Sequence, residues 1–263
     1  NTFVRRVHAV LQAALKQAVK ERLIPYNPCE NCRIPPKDKK EMTILPPEKI
    51  GRYLQEAEKY GVLPMFYLEL SSGLRRGELL ALQWTDLNVK ERILTVNKQV
   101  TRMEGELDVT EPKTKNSVRK VALSQQAVDL LVQEHEQHPD NPILFPSPRT
   151  GGYWSPDAVS RINRKLLKSA GIEEHVRFHD LRHTFATMAI SSGVDVKTLS
   201  SMLGHYSAGF TLDTYTHITN DMQRGAAEKI GGFMESATAT PTPEPPDPPE
   251  ESRCKVIPFE KVG

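Results

Sequence analysis

The sequence predicts an α+β chain that is mostly α-helical, with its helices gathered around one small antiparallel sheet. Three observations predict it. Apolar residues recur at three- and four-residue steps over most of the chain, and two short runs rich in β-branched residues, 93–100 and 118–123, interrupt that pattern. Glycine or proline stands at nearly every place where a periodic run stops. With 263 residues, 38% of them hydrophobic, the chain can bury the core of one large domain or two small ones. No run of eighteen apolar residues occurs and the first residues lack a signal-peptide pattern, so neither a membrane-spanning nor a secreted chain is expected.

Taken in order, residues 2–24 place Val4, Val7, Leu11, Leu15 and Ala18 on one helical face, with Pro25 as the stop. The chain opens almost inside that helix, so its core partners are expected to belong to a longer protein. Residues 27–47 hold Pro28, Pro35, Pro36, Pro46 and Pro47 together with Lys37, Asp38, Lys39 and Lys40, the composition of an extended charged linker. Helices are predicted at 47–60 and 64–71, and Gly73 breaks the pattern before a further helix through Trp84. The strands 93–100 and 118–123 follow, with a third strand or a long loop between them. Ser124 and Ser155 are N-cap residues of two more helices, the second reinforced by Pro156 and Asp157, and Gly171 ends it. Helical patterns return at 179–193 and 196–203, closed by Gly193 and Gly204. The tail, with Pro241, Pro243, Pro245, Pro246, Pro248 and Pro249, cannot bury enough apolar surface to order itself. Val256, Ile257 and Phe259 near its end have the composition of a short docking strand.

The formal charge of +2 is mild, but it is unevenly spread. Six acidic and three basic residues lie from Glu235 onward, leaving 32 basic against 27 acidic in the body, a balance that suits a phosphate-rich partner. The cysteines Cys29, Cys32 and Cys254 cannot all pair, and one Cys-x-x-Cys without a second pair or nearby histidines makes a poor zinc site. They read as structural or incidental thiols of a reducing cytoplasm.

Chemistry concentrates in a few motifs. In His179-Asp180-Leu181-Arg182-His183, residues three apart share a helical face, so His179 and Arg182 can enter one pocket. A guanidinium offers a planar fork to two phosphate oxygens, and an imidazole exchanges protons near neutral pH. Ser72-Gly73-Leu74-Arg75-Arg76-Gly77-Glu78 places a second arginine, Arg75, where a helix begins and where free amides favour an anion. Between these motifs, Pro112-Lys113-Thr114-Lys115-Asn116 falls where the strand pairing is expected to turn back. Downstream come Leu203-Gly204-His205 and Thr214-Tyr215.

In this order and combination the motifs resemble those of the tyrosine recombinases, the phage integrase family, and within it the integrases of conjugative transposons and temperate phages. The resemblance covers roughly residues 34–234. It implies the tyrosine recombinase catalytic fold, preceded by the last helix of a helical core-binding domain: residues 1–33 the end of that domain, 34–47 a linker, 48–234 the catalytic domain and 235–263 a flexible tail. It implies that Arg75 and Arg182 clamp a phosphate, assisted by His205, that Lys113 is the general acid with Lys115 as the fallback, that His179 is the acid/base histidine, and that Tyr215 is the nucleophile. Ser72 stands where threonine is more common, and Ala208-Gly209-Phe210 replaces a Ser/Thr-rich approach; neither removes a reacting group.

The implied activity is site-specific cleavage and rejoining of DNA strands through a 3′ phosphotyrosine, with no metal, cofactor or ATP. The implied partners are double-stranded DNA recombination sites, further copies of the chain in a tetramer on DNA, and accessory DNA-bending or excision proteins. The segment after Tyr215, with Ala226, Ala227, Ile230 and Phe233 at helical spacing, is expected to pack either within the subunit or onto a neighbour. Integration and excision of a mobile element, chromosome resolution and type IB topoisomerase relaxation share this chemistry. Two other classes compete. Residues 185–204 have a helix, glycine turn and second helix like a DNA-binding regulator, and His179 with His183 has the spacing of two zinc ligands of a hydrolase, though Asp180 stands where a glutamate is needed.

Overall fold

The computed structural model describes residues 2–36, 43–103, 105–111, 118–204, 209, 211–212, 227–232 and 234–235. The chain divides into two compact units, Asn1–Tyr215 and Thr216–Gly263. In the second, residues 227–232 are helical, with Ile230 and Met234 exposed.

The first unit opens with α1 (Thr2–Lys20), none of whose residues is buried. It stops four residues short of Ile24 because Arg22 enters the left-handed region at φ +60°, and the Leu23 amide folds back onto the Ala18 carbonyl at 2.9 Å. That reversal satisfies end-of-helix carbonyls that have no partner further along the helix. Pro25 therefore lies beyond a helix that has already ended.

Helices α2 (Pro47–Lys59) and α3 (Leu63–Ser72) each have proline in the first turn, where its missing amide costs nothing. The helix expected after Gly73 and through Trp84 divides into α4 (Arg76–Ala81) and a 3-10 turn (Trp84–Asp86). Leu82 and Gln83 between them are extended because they pair with residues 142–144: the Leu144 amide bonds the Leu82 carbonyl, and the Trp84 amide bonds the Pro142 carbonyl.

The β region is also divided. Strands β1 (Leu87–Asn88), β2 (Ile93–Val96) and β5 (Arg119–Ala122) form one antiparallel sheet in the order β1-β2-β5, and β3 (Gln99–Met103) pairs with β4 (Glu106–Thr110) in a second. The single strand predicted for 93–100 breaks at Asn97 and Lys98, where the Lys98 ammonium turns inward to bond both oxygens of Asp86 at 2.7 Å. Residues 111–118 therefore connect two sheets. Among the described residues β5 pairs with β2 and not with β4, and the turn of the β3–β4 pair falls near Gly105.

Ser124 caps α5 (Gln125–Glu136) by accepting from the Ala127 amide at 3.2 Å, and Ser155 precedes α6 (Pro156–Ser169), which Gly171 ends at φ +63°. Helix α7 (Phe178–Ser191) packs on α3 and α6 and contacts α8 (Val196–Leu203), closely as periodicity predicts. Core contacts link these helices in series. Tyr53 of α2 meets Phe66 of α3 edge-on at 5.8 Å between ring centres, and Phe66 meets Phe178 of α7 at 5.8 Å. The Tyr53 hydroxyl donates to Asn163 of α6 at 2.6 Å, so its burial leaves no polar atom unmatched. Leu45, at the end of the predicted linker, is fully buried, and its amide donates to Thr184 of α7. The whole arrangement holds the C-terminus of α3, the N-terminus of α7 and the C-terminus of α8 against one another.

Candidate active site

The site is organised around the end of α8. A helix leaves its last carbonyls without intrahelical donors, and that end of the helix attracts cations. Three guanidiniums take three successive carbonyls here. Arg119 Nε donates to Met202 at 2.6 Å, Arg182 Nη2 to Leu203 at 2.6 Å, and Arg75 Nη2 to Gly204 at 2.9 Å.

Each arginine is positioned by local structure. Gly73 ends α3 in the left-handed conformation, φ +60°, and a Cβ there would lie 2.3 Å from Phe185 Cδ1, so backbone and packing both demand glycine. Its carbonyl accepts Arg182 Nη1 at 2.6 Å. Arg75 is the N-cap of α4, its own amide and its guanidinium both donating to Glu78 at 2.9 and 2.7 Å. Glu78 is buried between two arginines, since Arg119 donates to it at 3.1 and 2.8 Å. Although burial pushes its carboxyl up, the bonds and charge of Arg119 outweigh that and hold it below the ordinary glutamate range. Gly204 must also lack a side chain, because its φ is +63° and a Cβ would sit 3.1 Å from the Arg119 guanidinium.

The N-terminus of α7 is fastened by Asp180, which is buried and accepts from the Arg177 amide at 2.7 Å and from its side chain at 2.9 and 2.8 Å. This sets His179 and Arg182 on the shared face that their spacing predicts. Burial lowers the His179 pKa, and the Arg182 charge lowers it further; Asp180 only partly opposes them, and Arg75 is close enough to add to the effect. His183 meets His179 edge-on at 5.1 Å, and burial first and His179 second push it down to about 4. Both imidazoles are thus neutral at pH 7, and a neutral imidazole can accept a proton. Burial takes Arg182 down to about 10, which leaves it cationic at neutral pH.

His179 also lines an open recess of about 640 Å³ together with Arg76, Arg164, His175 and Arg177. Among the described residues no carboxylate lines it. A polyanion is the chemical class that such a surface suits.

Of the residues predicted from sequence, the structure brings together Arg75, His179 and Arg182. Lys113, Lys115, His205 and Tyr215 lie outside the described residues, as do Ala226 and Phe233. His205 follows directly on Gly204, the residue held by Arg75. Sequence reasoning missed Arg119. A signal was present: inward and outward positions alternate along a strand, so Arg119 shares the buried side of β5 with Val121 while Lys120 and Ala122 face out. It also missed Glu69 of α3, fully buried, with neither carboxylate oxygen hydrogen-bonded among the described residues. Among the described residues the one group of three with metal-ligating reach is His8, Cys29 and Cys32, away from His179 and His183.

Comparison with known proteins agrees with this geometry. The model of the phage integrase family matches residues 45–222. The ICEBs1 integrase of Bacillus subtilis (strain 168) is 30% identical over 247 residues, covering 89% of this chain and 66% of that protein. A tyrosine recombinase XerC-like protein of Caldanaerobacter subterraneus subsp. tengcongensis is 28% identical over 259 residues, covering 88% and 66%. This chain thus spans 66% of the length of each of these relatives. An integrase of the transposon Tn1549, solved in complex with a circular intermediate DNA, superposes with a TM-score of 0.75 at 22% identity, over 87% of this chain and 79% of that one, a likeness of fold. With its family model matched over most of the length and its arginine motifs assembled in one place, the chain belongs to the phage integrase family of tyrosine recombinases.

Proposed function

We propose that this chain is the DNA-cleaving and rejoining part of a site-specific recombinase that integrates and excises a mobile element through a 3′ phosphotyrosine at Tyr215. One observation carries the reading: Arg75 and Arg182, from distant parts of the chain, hold the successive carbonyls of Gly204 and Leu203, with His205 next in sequence and His179 within reach of both charges. The relatives named integrase and the DNA in the Tn1549 complex support the substrate, as does the recess beside His179 lined by Arg76, Arg164 and Arg177. The catalytic domain is residues 48–234, and the protein works in the cytoplasm as a tetramer on double-stranded DNA.

A phenol with a pKa of about 10 attacks a phosphodiester at neutral pH only as its proton leaves. His179, held neutral, takes that proton while the Tyr215 oxygen bonds to phosphorus. Each guanidinium has five N–H donors. Those of Arg75 and Arg182 not spent on carbonyls and Glu78 face the equatorial oxygens, where charge grows in the transition state, and His205 joins them there. The bond from phosphorus to the 5′ oxygen breaks as Lys113, or Lys115 in its place, delivers a proton to that oxygen. Attack by a 5′ hydroxyl on the phosphotyrosine reverses every step, so bond energy is conserved without a nucleotide cofactor.

The test is a nicked DNA substrate from which the freed strand diffuses away. The chain forms a covalent adduct, and peptide mapping places it on Tyr215. Tyr215→Phe abolishes the adduct and leaves DNA binding nearly intact. An adduct persisting in the Phe variant, or mapped to another residue, rejects the reading.

A further inference from the structure

We propose that His8, Cys29 and Cys32 form a binding site for a zinc-like transition-metal ion that joins α1 to the segment following it. Sequence offered a Cys-x-x-Cys with no histidine nearby; folding supplies one. A ring nitrogen of His8 and the sulfurs of Cys29 and Cys32 lie within 4.8 Å of one another. Tetrahedral zinc, with Zn–S near 2.3 Å and Zn–N near 2.0 Å, sets ligand atoms about 3.5–3.8 Å apart, so closure needs a movement of about one ångström. Side-chain rotation supplies that.

The cysteine turn is built, and it is already fastened to the helix. Asn27 is buried; its Oδ1 accepts the Cys29 amide at 2.9 Å, and its Nδ2 donates to the Gln12 carbonyl of α1 at 3.2 Å. The Cys32 amide closes the turn on the Cys29 carbonyl at 3.3 Å, and His8 Nε2 lies 3.3 Å from that same oxygen. The turn therefore presents two thiols three residues apart toward an imidazole one helical face away, with Cys32 exposed and Cys29 half-buried, so an ion can enter. Two thiolates and an imidazole are a soft donor set, which selects zinc or cuprous ions over magnesium or calcium. Three protein ligands leave a fourth position to solvent.

A structural role follows from how α1 meets residues 25–36. It buries no residue, and Phe3, Val4, Val10 and Leu11 are exposed, so apolar packing does little to fix the helix against residues 25–36. Polar ties such as Arg5 to the Pro35 carbonyl at 2.6 Å do that work, and they are individually weak in water. Metal–ligand bonds contribute folding energy directly where a core is small. The ion acts on the angle at which the helix leaves the linker and takes no part in strand cleavage.

The experiment uses the whole chain, reduced, stripped with a chelator and titrated with Co²⁺. The expected result is a sulfur-to-cobalt charge-transfer band with intense tetrahedral d–d bands, saturating at one equivalent and erased by Zn²⁺. Cys29→Ser and Cys32→Ser abolish the charge-transfer band, His8→Ala weakens cobalt binding by at least about tenfold, and Cys254→Ser changes nothing. Zn²⁺ raises the melting temperature of the parent chain and not of Cys29→Ser. Weak octahedral bands only, bands that survive loss of both cysteines, or a Cys29–Cys32 disulfide resisting reduction would each overturn the site.

Discussion

Arg119 and Glu78 meet fork to fork, two guanidinium nitrogens at 3.1 and 2.8 Å from two carboxylate oxygens, with side chains only 6% and 2% exposed. The same carboxylate holds Arg75, and the same guanidinium holds the Met202 carbonyl. One buried pair thereby couples β5, the start of α4 and the end of α8.

Arg119→Met leaves Glu78 as a buried charge with fewer donors, and removing one partner of a buried pair costs about 3–5 kcal/mol. Urea unfolding is expected to show a loss of that size, together with slower formation of the DNA adduct. Adding Glu78→Gln should recover part of the stability, because no charge is then stranded. Strict additivity of the two changes would mean the pair is not coupled.

Gly73→Ala meets two separate obstacles. The left-handed backbone disfavours any side chain by about 1–2 kcal/mol, and the added methyl lies 2.3 Å from Phe185, an overpacking of about 1–3 kcal/mol. Thermal unfolding should report both, and Phe185→Leu in the alanine background should relieve only the second. Because the Gly73 carbonyl anchors Arg182, adduct formation should fall even at temperatures where the variant is folded.

Glu69 is raised well above the usual glutamate range by burial, the Arg182 charge opposing and the Glu78 charge assisting. A raised acid binds its proton more tightly in the folded state. Its contribution to stability is complete below the unfolded value and declines as pH rises through the folded one. Glu69→Gln should therefore flatten the fall in melting temperature on the alkaline side and be the more stable protein at pH 8. Parallel stability curves for parent and variant would sink this assignment.

His183 carries the opposite sign. Its folded pKa of about 4 lies below the unfolded value of 6.5, so the unfolded chain takes up a proton first and stability declines as pH falls from 6.5 towards 4. His183→Gln should reduce that decline. His179 is lowered by burial and by Arg182, so the acid limb of the adduct-forming rate should lie below the ordinary imidazole range. A limb centred at or above 6.5 would remove His179 as the base.

Helix α7 and helix α8 were legible in the sequence because their apolar spacing, and the glycines at 193 and 204, are local signals that local backbone physics obeys. So were His179 and Arg182 as a pair, because residues three apart share a helical face; Arg75, on another helix, joined them through the order of motifs that resembles the tyrosine recombinases. The division of the sheet was not legible, because residues 93–100 are uniformly strand-like and the break at Asn97 depends on Asp86 waiting for Lys98. Strand alternation marks Arg119 as inward-facing, but its partners, like the surroundings of Glu69 and the meeting of His8 with Cys29 and Cys32, were hidden: each is defined by a neighbour distant along the chain.

Chain order and residue type thus named the family chemistry, since the reacting groups must be present whatever their surroundings. Folding alone set which carbonyls the arginines hold, which carboxylate is buried between them and how far each imidazole is depressed. Those quantities depend on desolvation and on distances across the chain, and neither exists until α3, α7, α8 and β5 pack together.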